Sequence, residues 1–165
     1  MRFGRAMGGH RGMLNAHPPR RPHGLTLIEL MIVLIVAGVL ATLALPSFQA
    51  QIRKTRRADA YAAVTQIQQA QERWRSLQPT YAASLSALGI GASSTAGHYQ
   101  LATATESGTE NSRYTITAAA AGSQSSDAAC RYLRTVAAGG TLSQQSGPDN
   151  SFGNSAADNR ACWNQ

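Results

Sequence analysis

Apolar residues form one continuous run early in the chain, "LTLIELMIVLIVAGVLATLAL" at positions 25–45. At about 1.5 Å per helical residue, these 21 residues cover about 31 Å, which matches the hydrocarbon thickness of a bilayer. A cleaved secretory signal has a shorter apolar core of about 7 to 15 residues. The run therefore predicts a transmembrane helix, and Glu29 is its one charged residue.

The hydrophobic pattern changes from continuous to periodic after Pro46. Positions 51–78 contain neither Gly nor Pro, and apolar residues recur there at steps of three and four. Such spacing places one apolar stripe along an amphipathic helix. Pro79 ends the pattern, because the residue before a proline disfavours the helical conformation. We predict one helix from about residue 25 to residue 78, whose second half (46–78) carries the stripe Tyr61, Val64, Ile67, Ala70, Trp74 and Leu77.

Short runs rich in Tyr, Thr, Ile and Val follow in the second half of the chain. The segments "HYQLATATE", "SRYTITAAA" and "CRYLRTVAA" are predicted strands, separated by clusters of Gly and Ser. "TLSQQS", after Gly139-Gly140, could form a fourth strand in a hairpin with the third, and "GPDNSFGNSAADN" is predicted as a polar loop. The predicted fold class is α+β, with a sheet of three or four antiparallel strands in residues 79–165 packed on the amphipathic half of the helix.

The positive charge is concentrated at the N-terminus. The formal net charge is +7, but five arginines and no Asp or Glu precede Leu25. The remaining chain has ten Lys or Arg residues against eight Asp or Glu residues, a net charge of only about +2. Residues 1–24 are therefore interpreted as a basic leader that stays in the cytoplasm, with the rest after the apolar run exported. Met7 and Met13 are alternative start positions to Met1.

Two cysteines, Cys130 and Cys162, lie late in the chain. If this region is exported, an oxidising compartment allows them to pair, whereas two unrelated free thiols are the alternative. Closing their loop of about 33 residues would contribute roughly 3 to 4 kcal/mol of stability on the chain-entropy model.

The junction between leader and apolar run resembles the processing motif of type IV prepilins. Gly24, Leu25 and the run "TLIE" at 26–29 match the family in order, although the family more often has Phe in the place of Leu25. Farther on, "RRADAYAAVTQIQQAQERW", "TYAASLSALG", "YTITAAAAGSQSSDAACRYLRTVAAGG" and the final "CW" resemble PilE-like minor pilins, a group that includes DNA-uptake pilins of the ComP type.

This resemblance implies the pilin ladle fold and a defined processing route. A membrane aspartyl prepilin peptidase would cleave after Gly24 and the new amine of Leu25 would be methylated. The subunit would then cross the inner membrane once, with its N-terminus cytoplasmic, and enter a type IV pilus. Its partners would be other pilin subunits, through parallel packing of the N-terminal helices, and the pilus assembly machinery.

Glu29 acquires a role in this context. Cleavage would leave a largely positive amine on Leu25, since the reference pKa of an α-amine is near 8. Glu29 lies one helical turn farther along, so it could approach its own amine or, in a filament, the amine of a neighbouring subunit. Paired, the two charges become tolerable in an apolar bundle and could set the register of the helices. The alternative is that Glu29 merely extends toward the cytoplasmic interface.

Gly38 and Pro46 are the predicted helix break. Pro46 has no N–H group, and Gly38 lowers helix propensity one or two turns earlier. Local unwinding between them is what the prepilin resemblance favours. An ordinary kink is the alternative, because Gly and Pro are tolerated in membrane helices.

A basic run, "RKTRR", follows the apolar residues on the exported side. Arg53, Lys54, Arg56 and Arg57 could contact lipid headgroups or acidic groups on neighbouring subunits. A solvated helix face is the alternative.

Catalysis is not expected. Three of the four histidines lie in the leader, leaving His98, and we find no Ser/His/Asp set, carboxylate pair or phosphate-binding glycine loop. We expect no metal and no cofactor. A single-pass enzyme or inhibitor with an uncleaved anchor is a different class, and it predicts that Leu25 never becomes an N-terminus.

DNA binding is the main alternative to a structural role in pilus biogenesis, motility or adhesion. It requires a basic patch with stacking groups. Arg131 and Arg134 differ by three positions, which on a regular strand places them on opposite faces. A structural minor pilin is therefore favoured over a DNA-uptake pilin or a type II secretion pseudopilin, and DNA is an unlikely partner. The candidate DNA contacts are Arg113, Arg131, Arg134, Arg160 and Trp163.

Overall fold

The computed structural model describes residues 24–164, and the predictions for the leader and its start positions lie outside this range. The long helix α1 spans Leu27–Arg75 and contains Pro46. It ends earlier than predicted, because the backbone turns at Trp74, whose carbonyl accepts from the amides of both Leu77 and Gln78. The chain divides into two compact units at Leu40/Ala41. The predicted boundaries at residues 45 and 78 stay predictions.

In the first unit, every residue of 24–40 is exposed, although most are large and apolar. By length and composition, α1 qualifies as a membrane-spanning helix, with an 18-residue window of mean hydropathy 2.7, none of it buried. This helix surface requires a lipid or protein environment, because soluble proteins rarely expose contiguous apolar patches of this size.

The second unit contains a four-stranded antiparallel sheet in the order β1-β2-β3-β4. Its strands are β1 (Tyr99–Ala104), β2 (Arg113–Ala120), β3 (Tyr132–Ala138) and β4 (Thr141–Gly147). All four coincide with the predicted segments. The β3–β4 hairpin turns at Gly139 and Gly140, whose φ angles of 56° and 80° are accessible to glycine without strain. The α+β class and the fourth strand are thereby confirmed.

We call residues 52–164 the head. Its core lies between the sheet and the amphipathic half of α1. Strand β1 alternates strictly between buried and exposed positions, as expected when one face of a sheet packs on a helix. Of the predicted stripe, Val64, Ile67 and Ala70 are buried, but Leu77 lies beyond the end of the helix and is 83% exposed. The helix face in contact with the sheet consists of Ala60, Ala63, Val64, Ile67, Ala70 and Gln71.

A second helix, α2 (Ala156–Trp163), occupies part of the segment predicted as a polar loop. That prediction was wrong for its last residues because Ser155 caps the helix, accepting from the amide of Asp158 at 3.2 Å. The side chain of Asn159 donates to the carbonyl of Gln144 at 2.8 Å, and Trp163 Nε1 donates to the carbonyl of Gln145 at 3.1 Å. Helix α2 thus covers the free edge of β4.

A disulfide joins Cys130 to Cys162, with their Cα atoms 5.4 Å apart. This confirms the predicted pairing. Cys130 ends a short 3₁₀ segment directly before β3, and Cys162 lies in the last turn of α2. The bond therefore fixes α2 against the sheet.

Candidate functional site

The start of α1 contains the residues of the predicted processing motif. Gly24, Leu25 and Thr26 precede the helix and are exposed. The amide of Glu29 donates to Thr26 Oγ1 at 3.2 Å, and the amide of Thr26 lies 3.4 Å from Glu29 Oε2. This reciprocal arrangement is a capping box, which satisfies two amides that a helix N-terminus otherwise leaves unpaired. The predicted cleavage junction thus lies just outside a capped helix.

The capping role of Glu29 was missed in the sequence, although the T-x-x-E spacing at 26–29 is its signature. The box holds the carboxylate on the first turn, where the helix dipole also favours negative charge. Only Oε2 takes part in the box, so Oε1 faces no hydrogen-bond donor in the described part of α1. The carboxylate can therefore cap the helix and accept from an amine at the same time.

Helix α1 continues through Gly38 and Pro46 without interruption. A proline removes one backbone hydrogen bond, but the remaining turns on either side hold the helix. Unwinding at these residues within a filament stays a prediction.

Arg57 belongs to the basic run but is turned into the head. Its Nε and Nη2 atoms donate to the two carboxylate oxygens of Asp127 at 2.7 and 2.9 Å, and Nη1 donates to the carbonyl of Ala161 at 3.0 Å. Only 13% of the Arg57 side chain and 8% of the Asp127 side chain are exposed. Burial alone would lower the pKa of Arg57, but hydrogen bonding and charge attraction from Asp127 raise it. Neither lipid contact nor a solvated face describes this residue.

Gln124 extends this ion pair into a buried network. Its Nε2 atom donates to the carbonyl of Arg53 and to Tyr99 Oη, both at 3.1 Å, and to Asp127 Oδ2 at 3.2 Å. Burial raises the pKa of Tyr99 to about 12, although the hydrogen bond from Gln124 lowers it. The network therefore holds α1, β1 and the segment before β3 together.

Tyr61 connects the same region of α1 to α2. Its hydroxyl donates to the carbonyl of Cys162, and its ring stacks on Trp163 with centroids 5.5 Å apart. Trp163 is only 6% exposed. It therefore packs in the core, and its predicted role as a stacking platform for DNA is wrong.

The four arginines predicted for DNA contact do not converge. Arg131 donates through Nε to the carbonyl of Ser125 at 3.0 Å, ahead of β3. Arg113 begins β2 and lies 3.8 Å from the exposed carboxylate of Glu106. Thr117 is the register partner of Arg134, so Arg113 lies four residues, or about 13 Å, along the sheet from Arg134. Arg160 is exposed on α2.

Arg134 is the most defined of these four. Its Nε atom donates to Gln145 Oε1 at 2.7 Å, across the β3–β4 pair. Its guanidinium carbon lies 3.9 Å from the centroid of the Phe152 ring. Phe152 adopts a φ of 57°, which is unusual for a residue with a large side chain. The sequence analysis missed this aromatic partner, because the loop that carries Phe152 has no periodic pattern.

A cavity of about 330 Å³ opens near the C-terminal end of α1. Tyr81 and Tyr114 form part of its wall, with ring centroids 4.6 Å apart, and Glu72 and Leu142 lie beside them. Burial, followed by the charge of Glu72, raises the pKa of Tyr114 to about 12. Within residues 24–164, no group of three or more His, Cys, Asp or Glu side chains is placed to hold a metal ion.

Two family models match adjacent parts of the chain. The prokaryotic N-terminal methylation motif matches residues 19–45. The model described as "Type IV minor pilin ComP, DNA uptake sequence receptor" matches residues 46–134, more than half of the 165 residues. No curated protein matches the chain. With a methylation motif that covers the start of a long helix and a four-stranded sheet packed on that helix, the chain belongs to the ComP family of type IV minor pilins.

Proposed function

We propose that this minor pilin is cleaved after Gly24, methylated on the amine of Leu25 and assembled into a type IV pilus through the apolar half of α1. The observation that carries this proposal is the exposed Gly24–Leu25 junction directly before the Thr26–Glu29 capping box, within the region matched by the methylation motif. In the membrane, the leader lies in the cytoplasm and the head in the periplasm, and assembly carries the subunit to the cell surface.

Glu29 supplies the assembly contact in this proposal. After cleavage, the amine of Leu25 is largely protonated, since its reference pKa is near 8. Glu29 of one subunit then pairs with the Leu25 amine of the next, while its Oε2 atom continues to cap its own helix. The pairing neutralises two charges that are costly alone in an apolar bundle. The partners are other pilin subunits and, before assembly, the prepilin peptidase that also methylates the amine.

The experiment is mass spectrometry of the N-terminal peptide of the membrane-purified protein, with and without a prepilin peptidase. We expect a peptide that begins at methylated Leu25 only when the peptidase is present. An intact leader with the peptidase present, or cleavage after the apolar run, would overturn the proposed route.

DNA binding is a second candidate function, favoured by the match to a DNA uptake sequence receptor model over 46–134. Arg134, stacked on Phe152, is the contact that the head geometry supports best. We expect duplex DNA to bind the full chain in detergent with an affinity that falls as salt increases. Arg134→Gln should weaken this binding, and Arg113→Gln, beside Glu106, should weaken it less. Equal effects, or no salt-dependent binding, would remove this candidate.

A further inference from the structure

A groove of about 190 Å³ lies between α1 and the 3₁₀ segment Gly122–Ser126. Arg56 Nη1 donates to Ser123 Oγ at 2.7 Å across this groove. Arg53 also lines it, and its guanidinium makes no hydrogen bond or ion pair with any residue that the structure describes. The groove therefore contains one guanidinium with a single neutral partner and one that is available. Its lining residues are Gln49, Ile52, Arg53, Arg56, Ser123 and Ser126.

The helix periodicity divides the basic run into three parts. Steps of three and four residues place Phe48, Ile52 and Arg56 on the same side of α1, beside Gln49 and Arg53. Lys54 precedes Arg56 by two positions, about 200° around the helix, and does not line the groove, so it lies on the opposite side of α1. Arg57 is bound to Asp127. Of the four basic residues in this run, Arg53 and Arg56 are the two that line the groove.

The groove also lies close to the end of the predicted membrane span. Arg53 follows Leu45, the last residue of the predicted span, by eight positions, or about 12 Å of helix. The polar layer on each side of a bilayer is roughly 5 to 7 Å thick, so the backbone of Arg53 lies about 5 to 7 Å beyond it. The long side chain of Arg53 extends toward the N-terminus of the helix, and so back toward this layer. Phe48 is exposed, and Ile52 lines the groove. Along α1, apolar Leu45 is followed by aromatic Phe48, then by the amide of Gln49 and the guanidinium of Arg53. The same order, from apolar to charged, is found from the hydrocarbon core of a bilayer to its headgroups.

We propose that this groove binds the phosphate of an anionic phospholipid in the periplasmic leaflet. Arg53 and Arg56 donate to the phosphate oxygens, in the charge-assisted geometry that guanidinium groups favour. Ser123 accepts from Arg56 through Oγ, and its hydroxyl hydrogen is available for the same phosphate. Ile52 and Phe48 contact the apolar part of the lipid. These apolar groups favour a lipid over a nucleic acid, whose phosphates carry no hydrocarbon chains.

The consequence is a second attachment of the subunit to the membrane, in addition to its apolar segment. It exists while the pilin waits in the bilayer and is lost when the subunit is extracted into a pilus. Because the groove lies wholly within residues 49–126, this inference does not depend on cleavage at Gly24 or on the role of Glu29, but it rests on the proposed orientation with the head in the periplasm.

The test is a titration of the full-length protein in a nonionic detergent with phosphatidylglycerol or phosphatidylcholine, with the bound lipid counted by native mass spectrometry. We expect tighter binding of phosphatidylglycerol. Each arginine near a membrane surface contributes about five-fold to binding of anionic lipid, so Arg53→Gln should weaken it about five-fold and Arg53→Gln/Arg56→Gln about 25-fold. The single variant is not expected to affect folding, which the fluorescence of Trp74 and Trp163 checks.

Lys54→Gln is the matched control, because it removes one charge from the same run on the opposite side of α1. We expect it to change phosphatidylglycerol binding by less than about two-fold. If Lys54→Gln weakens phosphatidylglycerol binding as much as Arg53→Gln does, the lipid is attracted by the overall charge of the basic run. That result would overturn the proposed binding site in the groove. The proposal also fails if Arg53→Gln leaves lipid binding unchanged, including the case in which that variant weakens binding of duplex DNA instead.

Discussion

The apolar segment at residues 25–45 and the head at 52–164 differ in where their side chains find contacts. The head buries its own apolar residues between α1 and the sheet and pairs its buried charges, as Arg57 does with Asp127. The apolar segment, by contrast, buries none of its residues and carries the carboxylate of Glu29 on its first turn. The head is therefore stabilised from within, whereas the segment acquires its contacts only from lipid or from other subunits.

The largest effect is expected for a change at Glu29, which should impair assembly into the pilus without affecting the folding of the head. Glu29→Ala should lower the amount of this pilin in sheared pili by at least about 100-fold, because one charge of a buried pair loses its partner. The amount in the membrane and the stability of the head should not change. Quantitative immunoblotting of pilus and membrane fractions measures both.

Glu29→Gln distinguishes the charge of this side chain from its capping role. Glutamine preserves a capping box but not the charge. We expect Glu29→Gln to fail in assembly as severely as Glu29→Ala. Normal incorporation of the glutamine variant would show that the cap alone matters and would contradict the ion pair.

Arg57→Ala tests what the loss of a charged partner does within the head. It leaves the carboxylate of Asp127 buried without its partner, which should lower the free energy of unfolding by about 3 to 5 kcal/mol. Urea unfolding of the full chain in detergent, followed by the fluorescence of Trp74 and Trp163, measures this loss. Arg113→Ala is the control, because its exposed contact with Glu106 should contribute no more than about 1 kcal/mol. Comparable losses from the two variants would argue against a buried ion pair.

The disulfide should contribute slightly less. Replacing both partners, as in Cys130→Ser/Cys162→Ser, should lower the free energy of unfolding by about 3 to 4 kcal/mol, because the unfolded chain gains freedom. Reducing the native protein should shift the urea midpoint in the same direction and by a similar amount. A midpoint that reductant does not move would mean that the core holds α2 without the bond.

The smallest effect concerns pH. Burial would raise the pKa of Asp59, but hydrogen bonds from Ser94 and from the amides of Ala96 and His98 hold it below its ordinary value of 3.8. The carboxylate therefore stabilises the head fully above about pH 4, and this contribution is lost as the pH falls through the lowered pKa. Urea unfolding at several acidic pH values should show a weaker pH dependence for Asp59→Asn. If Asp59→Asn leaves the pH dependence of stability unchanged, other carboxylates are responsible for that dependence.

Local patterns made much of the head predictable. Three strands were predicted from β-branched and aromatic runs between Gly and Ser clusters, and a possible fourth from its position after Gly139-Gly140. The long helix was predicted from its apolar run and its periodic stripe. Helix α2 was also encoded locally, by Ser155 and Asp158 at capping spacing, but the polar composition around it resembles a loop. The disulfide was predicted from the expected export of the two late cysteines to an oxidising compartment.

The buried network was not predictable, because its members are distant in sequence. Arg57 and Asp127 are 70 positions apart, and nothing near either residue indicates the other. The contacts of Trp163 and Phe152 were also not predictable, because their partners are distant in sequence. Only the packing of α2 against Tyr61 decides that the tryptophan is buried, and only the loop that carries Phe152 decides that its ring covers Arg134.

The cover over β4 also affects how these subunits behave when crowded. An uncovered outer strand offers unpaired carbonyl and amide groups to the strand of another molecule, which leads to aggregation. Here the carbonyls of Gln144, Gln145 and Ser146 accept from Asn159, Trp163 and the backbone amide of Asn154. Pairing of another molecule's strand along residues 144–146 is therefore hindered.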